Sequence, residues 1–393
     1  MKSVYALSSA CINMHITIVG AGPVGLLLSC LLSRTHIITV LDKRTHSTRS
    51  HPLNISDNTI MEVLRYLATD SRPEIISLWE MLNSWRNFPV STIEIETSLS
   101  QIATNFGVII LRGVDLTSLN ECSDSVIIGA DGAKSRIRSI VFNDELTDRH
   151  NAEYMVQLKY QTPGATRPRL PISAASYSYI NGLSGSDMVL DFESLASPND
   201  SYRKPGTLHI PVSRAIYDVL SAQGRGTYSS PWTLEELAAI PNYRIGKLGR
   251  IINRYHFSLK WRGGWLEDAL ITVIPLDIYR SAEVVKILPN NTLVMLCGDS
   301  ASGLVYQRGL SKGWLEAVKC AQTLSYTDAD TLSLALAQYS QYCIALYESE
   351  RDAILAKHHK ITSINTSVSI TSTVVTAGLG LLAAYMLSRK LNS

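Results

Sequence analysis

Three glycines and a carboxylate near the start of the chain have the types and spacing to hold a nucleotide. Gly20, Gly22 and Gly25 stand as G-x-G-x-x-G, with Pro23 inside the motif, after the apolar run 16–19 and before a run of leucines. Gly20 permits a tight turn, Gly22 lets a pyrophosphate approach the backbone, and Gly25 lets a helix pack closely on the preceding strand. The free N–H groups and the positive dipole end of that helix favour anions. A second apolar run, 37–41, ends in Asp42. The distance suits a carboxylate that accepts hydrogen bonds from an adenosine ribose, about 20 residues after the glycines. Arg44 and Arg49 follow in a polar loop, facing either the phosphates or solvent.

Two later stretches repeat the theme of a strand that delivers glycine and aspartate to its end. The apolar run 126–128 leads to Gly129, Ala130, Asp131 and Gly132, and Ser135, Arg136 and Arg138 then open a helix. The run 292–297 leads to Gly298 and Asp299, followed by Gly303, Gly309 and Gly313 and a helix beginning at about Ser311 or Gly313. Ligands of open α/β sheets gather outside the carboxyl ends of strands, which places Asp131 and Asp299 where chemistry occurs. A helix N-terminus after residue 303 would stabilise negative charge on an electron-rich ring.

The elements needed to position these residues alternate in the same way. Apolar spacing predicts helices over 53–67 and 90–106 and a strand over 107–111. From about 150 to 270 short strand-like runs are separated by Gly, Pro, Asn and Ser, which is antiparallel punctuation. Thr233 and Glu236 have capping-box spacing and predict one helix there. Trp232, Tyr243, Tyr255, His256, Trp261 and Trp265 of this region line either an aromatic pocket or a core. The chain of 393 residues suits about two domains. With a net charge of +2 it shows no nucleic-acid surface. Six scattered cysteines form no CxxC pair, so neither a disulfide framework nor a zinc site is indicated; Cys30 and Cys297 read as core residues.

Taken together and in order, the three motifs resemble the FAD-dependent monooxygenases of the p-hydroxybenzoate hydroxylase type, which include kynurenine monooxygenase and the MICAL monooxygenase domain. The resemblance covers about residues 15–345 and is weakest in the middle. Asp42, Lys43, Arg44 and Arg49 look like the acidic residue, basic pair and arginine of the MICAL domain, and residues 90–108 look like its helix leading into a strand. The resemblance implies an α/β fold: a Rossmann-like, three-layer FAD-binding domain (residues 1–150 and 270–345), an inserted, mainly antiparallel β-sheet substrate domain (151–269), and a C-terminal helical tail (346–393). It implies that Asp42 holds the adenosine ribose, Arg49 lies near the FAD, Asp299 binds the ribityl chain, and Asp131 and Gly132 serve FAD and NAD(P)H. Gly309 and Gly313 belong to the same cofactor set. The implied reaction is NAD(P)H-driven hydroxylation of a small aromatic or polycyclic substrate by O2 through a flavin C4a-hydroperoxide. A MICAL-like oxidase releasing H2O2, or a flavin-binding interaction protein without catalysis, are the alternatives.

Two departures stand out. The family's helix carries a flavin-contacting arginine where this chain has Ile93. After Gly298-Asp299, Ser302 replaces a histidine, Tyr306 replaces a proline, and Lys312 is a new cation. Lys312 or Arg308 would attract an anionic substrate or the nicotinamide phosphate, or be plainly solvated. Residues 361–388 carry no charge, which reads either as a membrane-associated tail or as a terminal helix packed on the protein or on a second subunit. Expected placement is cytoplasmic, or membrane-associated with the catalytic domain facing the cytosol.

Overall fold

The computed structural model describes residues 14–46, 52–53, 55–68, 70–86, 90–119, 124–163, 190–193, 203–227, 229–261, 267–304, 308–325 and 330–356. The chain divides into two compact units: residues 1–152, 193–205 and 275–351 form the first, and 153–192, 206–274 and 352–393 the second.

The first unit is built on a sheet of order β12-β13-β6-β1-β2-β5. Its strands are β1 (His15–Val19), β2 (Ile37–Asp42), β5 (Ile109–Arg112), β6 (Val126–Gly129), β12 (Val285–Ile287) and β13 (Leu293–Leu296). All neighbours run parallel except β12, which pairs antiparallel with β13. Every residue of β6 and β13 is buried, so these strands read as unbroken apolar runs, as strands covered on both faces must. A two-stranded antiparallel ribbon, β3 (Pro52–Leu53) with β4 (Val90–Ser91), lies apart from the sheet order.

Local chemistry starts each helix. α1 (Pro23–Leu32) has Gly22 as N-cap and proline at its first turn, where the missing N–H costs nothing. The Ser56 hydroxyl caps α2 (Asp57–Leu67) by accepting the Thr59 N–H at 3.2 Å, and Ser91 caps α4 (Thr92–Asn105) through Glu94. Between them α3 (Pro73–Ser84) again opens on proline, a helix that the apolar spacing of the sequence does not predict. Asp131 and Ser135 both accept N–H groups at the start of α5 (Arg136–Phe142). The helix Arg308–Leu324 begins earlier than its glycines suggested, at Arg308, and packs on α1 and α2. A further helix, 330–356, continues without a break through residue 346. It turns Tyr339 and Cys343 into the core, and the Tyr339 hydroxyl donates to the Leu296 carbonyl at 2.7 Å.

The second unit holds parts of β7 (Leu146–Pro163), β8 (Leu190–Glu193), β9 (Arg203–Val212) and β11 (Glu267–Ser281), with β10 (Trp232–Thr233), strands of the sheet ordered β10-β11-β7-β9-β8. β10 is antiparallel to β11. The capping box forms: Thr233 and Glu236 exchange backbone and side-chain hydrogen bonds at 2.9 and 3.2 Å. Two further helices, Arg214–Ser221 and Tyr243–Trp261, stand where strand punctuation alone was expected. Ile245, Leu248 and Ile252 of the longer helix are buried in this unit's core with Val156, Leu158 and Ile271.

Trp232 belongs to the unit's framework rather than to an open pocket wall. Its Nε1 donates to Leu220 O at 3.0 Å and Arg225 stacks on its ring. Tyr243 is exposed. The strand expected over 175–180, together with Trp265, lies outside the described residues.

Candidate nucleotide and flavin site

The parallel register sets β1, β6 and β13 side by side, so their carboxyl ends bring the three glycine motifs to one edge of the sheet. Gly20, at φ +113°, turns the chain where a Cβ would stand 2.4 Å from Ala130 O. Its N–H donates to Leu41 O at 2.7 Å, tying the turn to β2. At Gly25 a Cβ would stand 2.0 Å from Gly20 O, so helix and turn touch backbone to backbone. Gly22 differs: nothing lies within 4 Å of where its Cβ would be. The same holds at Gly132, at φ +85°.

The third motif is anchored to both others. Gly298, at φ +70°, lies against Val24, and a Cβ on Gly313 would meet the same valine at 2.6 Å. Trp314, fully buried, donates from Nε1 to Pro23 O at 3.2 Å. The Ser300 hydroxyl donates to Gly129 O, and the Arg138 guanidinium reaches Ser300 O at 3.0 Å and Ala133 O at 2.8 Å. Tyr279 stacks under Arg138 and gives its hydroxyl to Asp299 O at 2.8 Å. Burial, with Asp299 nearby, pushes the Tyr279 phenol up, so it remains a donor. Asp299 Oδ1 faces Gly309, where a Cβ would stand 3.1 Å away. The carboxylate therefore meets the first turn of the Arg308–Leu324 helix.

Glu316 completes this support. Its Oε2 accepts the Gly298 N–H at 2.7 Å while Oε1 receives Lys312 Nζ at 2.6 Å, and neither side chain is exposed. Burial pushes the Glu316 carboxyl up and Lys312 offsets this only in part. Burial would push Lys312 down, but Glu316 outweighs it and keeps the ammonium charged. Lys312 is thus neither solvated nor free to attract an anion, and Arg308 is ion-paired with Glu350. The expectation for Lys312 is corrected by a buried carboxylate partner four residues away; Arg308, 41% exposed, pairs with a carboxylate on the helix 330–356 and keeps contact with solvent. Glu316, Tyr279 and Arg138 were not singled out by the sequence as supports of the motif. Of the three, only Glu316 carries a local signal, its i,i+4 spacing from Lys312.

At the adenosine end, Asp42 is heavily engaged. Its Oδ2 accepts Ala21 N–H at 2.7 Å and Arg44 Nη2 at 2.8 Å, and its Oδ1 accepts the Arg44 N–H at 2.8 Å and Nε at 3.1 Å. Burial alone would raise this carboxyl, but Arg44 and the Ala21 N–H together hold it below the ordinary range. Arg44 also reaches Glu96 Oε1 at 3.3 Å. Arg44 therefore faces two carboxylates and is 25% exposed. Lys43 is exposed, Ile93 is 43% exposed on the first turn of α4, and Arg49 lies outside the described residues. Asp131 accepts the N–H groups of Arg136 and Ile137 on Oδ2, while its buried Oδ1 has no hydrogen-bond partner among the described residues. Burial pushes its carboxyl up against the hydrogen bonds from Ser135 and these N–H groups. Ser302, in the place of the family histidine, is buried in β14 (Ser302–Gly303), which pairs with β11.

Open space at Gly22 and Gly132 and the uncapped N-terminus of α1 fit a pyrophosphate, whereas the orphaned Asp131 oxygen fits an N–H or O–H donor. Two predictions follow from the charges around it. Lys312→Met leaves Glu316 buried without its cation and should cost about 3–5 kcal/mol; chemical denaturation should show much of this loss recovered in the Lys312→Met, Glu316→Gln double variant. Asp42, with its carboxyl held low in the fold, contributes stability that is present above its unfolded value of about 3.9 and lost as pH falls below it. Urea titrations across that range should therefore show a flatter acid limb in Asp42→Asn than in the wild type.

No protein-family model matches the sequence, and no curated protein sequence does either. Solved structures do match. The Diels-Alderase PyrE3 of pyrroindomycin biosynthesis is 16% identical with a TM-score of 0.55, over 91% of this chain and 77% of that one. The halogenase PltM, solved in complex with FAD, is 13% identical with a TM-score of 0.56, over 89% and 76% of the two chains. CmlS, a flavin-dependent halogenase, is 13% identical with a TM-score of 0.55, over 86% of this chain and 62% of its own. At these identities the shared property is architecture: the chain has the Rossmann-like α/β fold of these flavin-dependent halogenases, the fold implied by its three glycine motifs.

Proposed function

We propose that the chain is an FAD-dependent oxidoreductase, an NAD(P)H-driven monooxygenase acting with O2 on a small aromatic or polycyclic molecule. The observation that carries this reading is the meeting of the three motifs at the carboxyl ends of β1, β6 and β13, with space left at Gly22 and Gly132. In this reading Gly20, Gly22, Pro23 and Gly25 receive the pyrophosphate at the start of α1, and Asp42 serves the ribose. Asp299 takes the ribityl hydroxyls, with Gly309 and Gly313 keeping the helix close to it. Asp131 and Gly132 line the same edge. When bound, FAD supplies storage for electrons from NAD(P)H and the activation of O2 needed to insert one oxygen atom into the substrate. The chain's own share is binding and orientation: Glu316, Tyr279 and Arg138 hold the Gly298–Ser300 turn so that Asp299 is fixed before the ligand arrives. Pre-organised polar groups of this kind lower the cost of binding and positioning.

Ser302 motivates a second reading. Its buried hydroxyl has no partner among the described residues, where relatives of the hydroxylase type have a histidine. A flavoprotein oxidase that releases H2O2, or a flavin-binding interaction protein, fits a reacting end without that histidine.

Purified protein should carry yellow flavin. Gly22→Val should abolish FAD retention, and Asp299→Ala should weaken it by about 1.5–3 kcal/mol; flavin retained at full affinity in both would place the cofactor elsewhere. Anaerobic bleaching by NADPH or NADH supports the oxidoreductase reading, and a flavin that neither bleaches supports the interaction protein. Rapid H2O2 release without substrate supports the oxidase.

Membrane attachment belongs with this proposal too. It rests on the uncharged residues 361–388, which lie outside the described residues; among the described residues no helix is long and apolar enough to cross a membrane. In detergent-free lysates the full chain should sediment with membranes and a chain ending at Lys360 should not; equal solubility would remove the anchor.

A further inference from the structure

The buried carboxylate of Glu96 has no role in the site as described so far. It projects from α4, is 1% exposed, and offers Oε1 to Arg44 Nη1 at 3.3 Å. Its other oxygen, Oε2, is buried with no hydrogen-bond partner among the described residues. A carboxylate oxygen taken out of water and left unpaired is costly, so its persistence beside a guanidinium needs an explanation. The guanidinium is placed to supply one. Arg44 spends Nε and Nη2 as a fork on Asp42 and only Nη1, at the longer distance, on Glu96. Asp42 then accepts four hydrogen bonds, two on each oxygen. That leaves its lone pairs spent, whereas a ribose diol needs them as acceptors.

We propose that Glu96 is a positioning residue of the adenosine site, a second seat onto which Arg44 moves when a ribose takes Asp42. In the structure Arg44 sits on the first seat. Binding of the nucleotide transfers its fork to Glu96, where the unpaired Oε2 completes a two-oxygen contact of the kind arginine favours. The partly buried charge of Arg44 stays neutralised throughout, and Asp42 is released for the ligand. The vacancy on Glu96 is thus the energetic counterpart of the hydrogen bonds that Asp42 gives up. This inference rests on the FAD reading of the site and assigns Glu96 and Arg44 within it.

The test is a double-mutant cycle on FAD binding, read by quenching of flavin fluorescence at equilibrium and by the association rate. Glu96→Gln removes the charge of the second seat, so Arg44 holds Asp42 and FAD binding should weaken roughly tenfold. In an Arg44→Met background Asp42 is free from the start, and adding Glu96→Gln should leave affinity unchanged. Glu96→Asp keeps the buried charge but shortens its reach, and should weaken binding in the same sense as Glu96→Gln if the latter does not fold. Wild-type affinity in Glu96→Gln or Glu96→Asp overturns the proposal. An equal loss from Glu96→Gln in both backgrounds overturns it as well, since a purely structural role for Glu96 would not depend on Arg44. Wild-type protein that takes up no FAD removes the cofactor reading itself and this inference with it. Flavin uptake with a flat cycle removes only the second seat.

Discussion

The Gly129 carbonyl accepts two hydrogen bonds from the far end of the chain, from the Cys297 N–H at 2.9 Å and from the Ser300 hydroxyl. The arrangement of the site depends on that junction. It exists because β6 lies between β1 and β13, with Gly129 opposite Val19 on one side and Leu296 on the other. No side chain is admissible there: a Cβ on Gly129 would stand 2.9 Å from both Ile137 and Leu296. The glycine thus lets α5 and β13 close on β6, and the closure brings residues near 20, 131 and 299 to one edge. The rest of the site is a set of side chains that hold those turns in place.

How much of this was legible in the sequence follows from where the information lay. β1, β2, β6 and β13 are short, apolar and bounded by glycine or aspartate, and each appears where the apolar runs placed it. Their burial on both faces removes alternation, so the run itself is the signal. α3 was missed because its apolar residues, among them Ile75, Leu78 and Leu82, are interspersed with exposed Ile76 and Trp79, which blurs the stripe. The helix Tyr243–Trp261 was missed for a related reason. Its inward face is Ile245, Leu248 and Ile252, but glycine at 246 and 249 and scattered arginines read as breaks rather than as the outer face of a helix.

In the candidate site, the legible residues were those with a backbone requirement. Gly20 and Gly298 adopt positive φ, and Gly25 leaves no space for a side chain; such demands select glycine and are visible as spacing. The supports were not legible, because each is defined by a partner far away in sequence. Tyr279 meets Asp299, Arg138 meets Ser300, and Glu96 meets Arg44 across 52 residues. Nothing in the local pattern separates a tyrosine that holds a carbonyl from one that fills a core. The cations of the altered loop were legible as charges, but their direction was not.

That direction changes what the altered loop means. A lysine and an arginine after a glycine–aspartate motif suggest an electropositive rim that selects anionic ligands. Burial of Lys312 against Glu316 turns one of these charges inward, to fix the carboxylate that holds Gly298 N–H. The other, Arg308, pairs with Glu350 on the helix 330–356 while staying 41% exposed. The departure from the family pattern at Lys312 is therefore compensated within the fold, by an acid on the Arg308–Leu324 helix. Tyr306 lies outside the described residues, and Ser302, small and buried, has a hydroxyl with no hydrogen-bond partner among the described residues. A difference in reaction between this chain and the hydroxylases it resembles is thus more reasonably traced to the lost imidazole than to the gained cations, since loss of a ring that can donate, accept and titrate removes chemistry, whereas a neutralised buried lysine adds none.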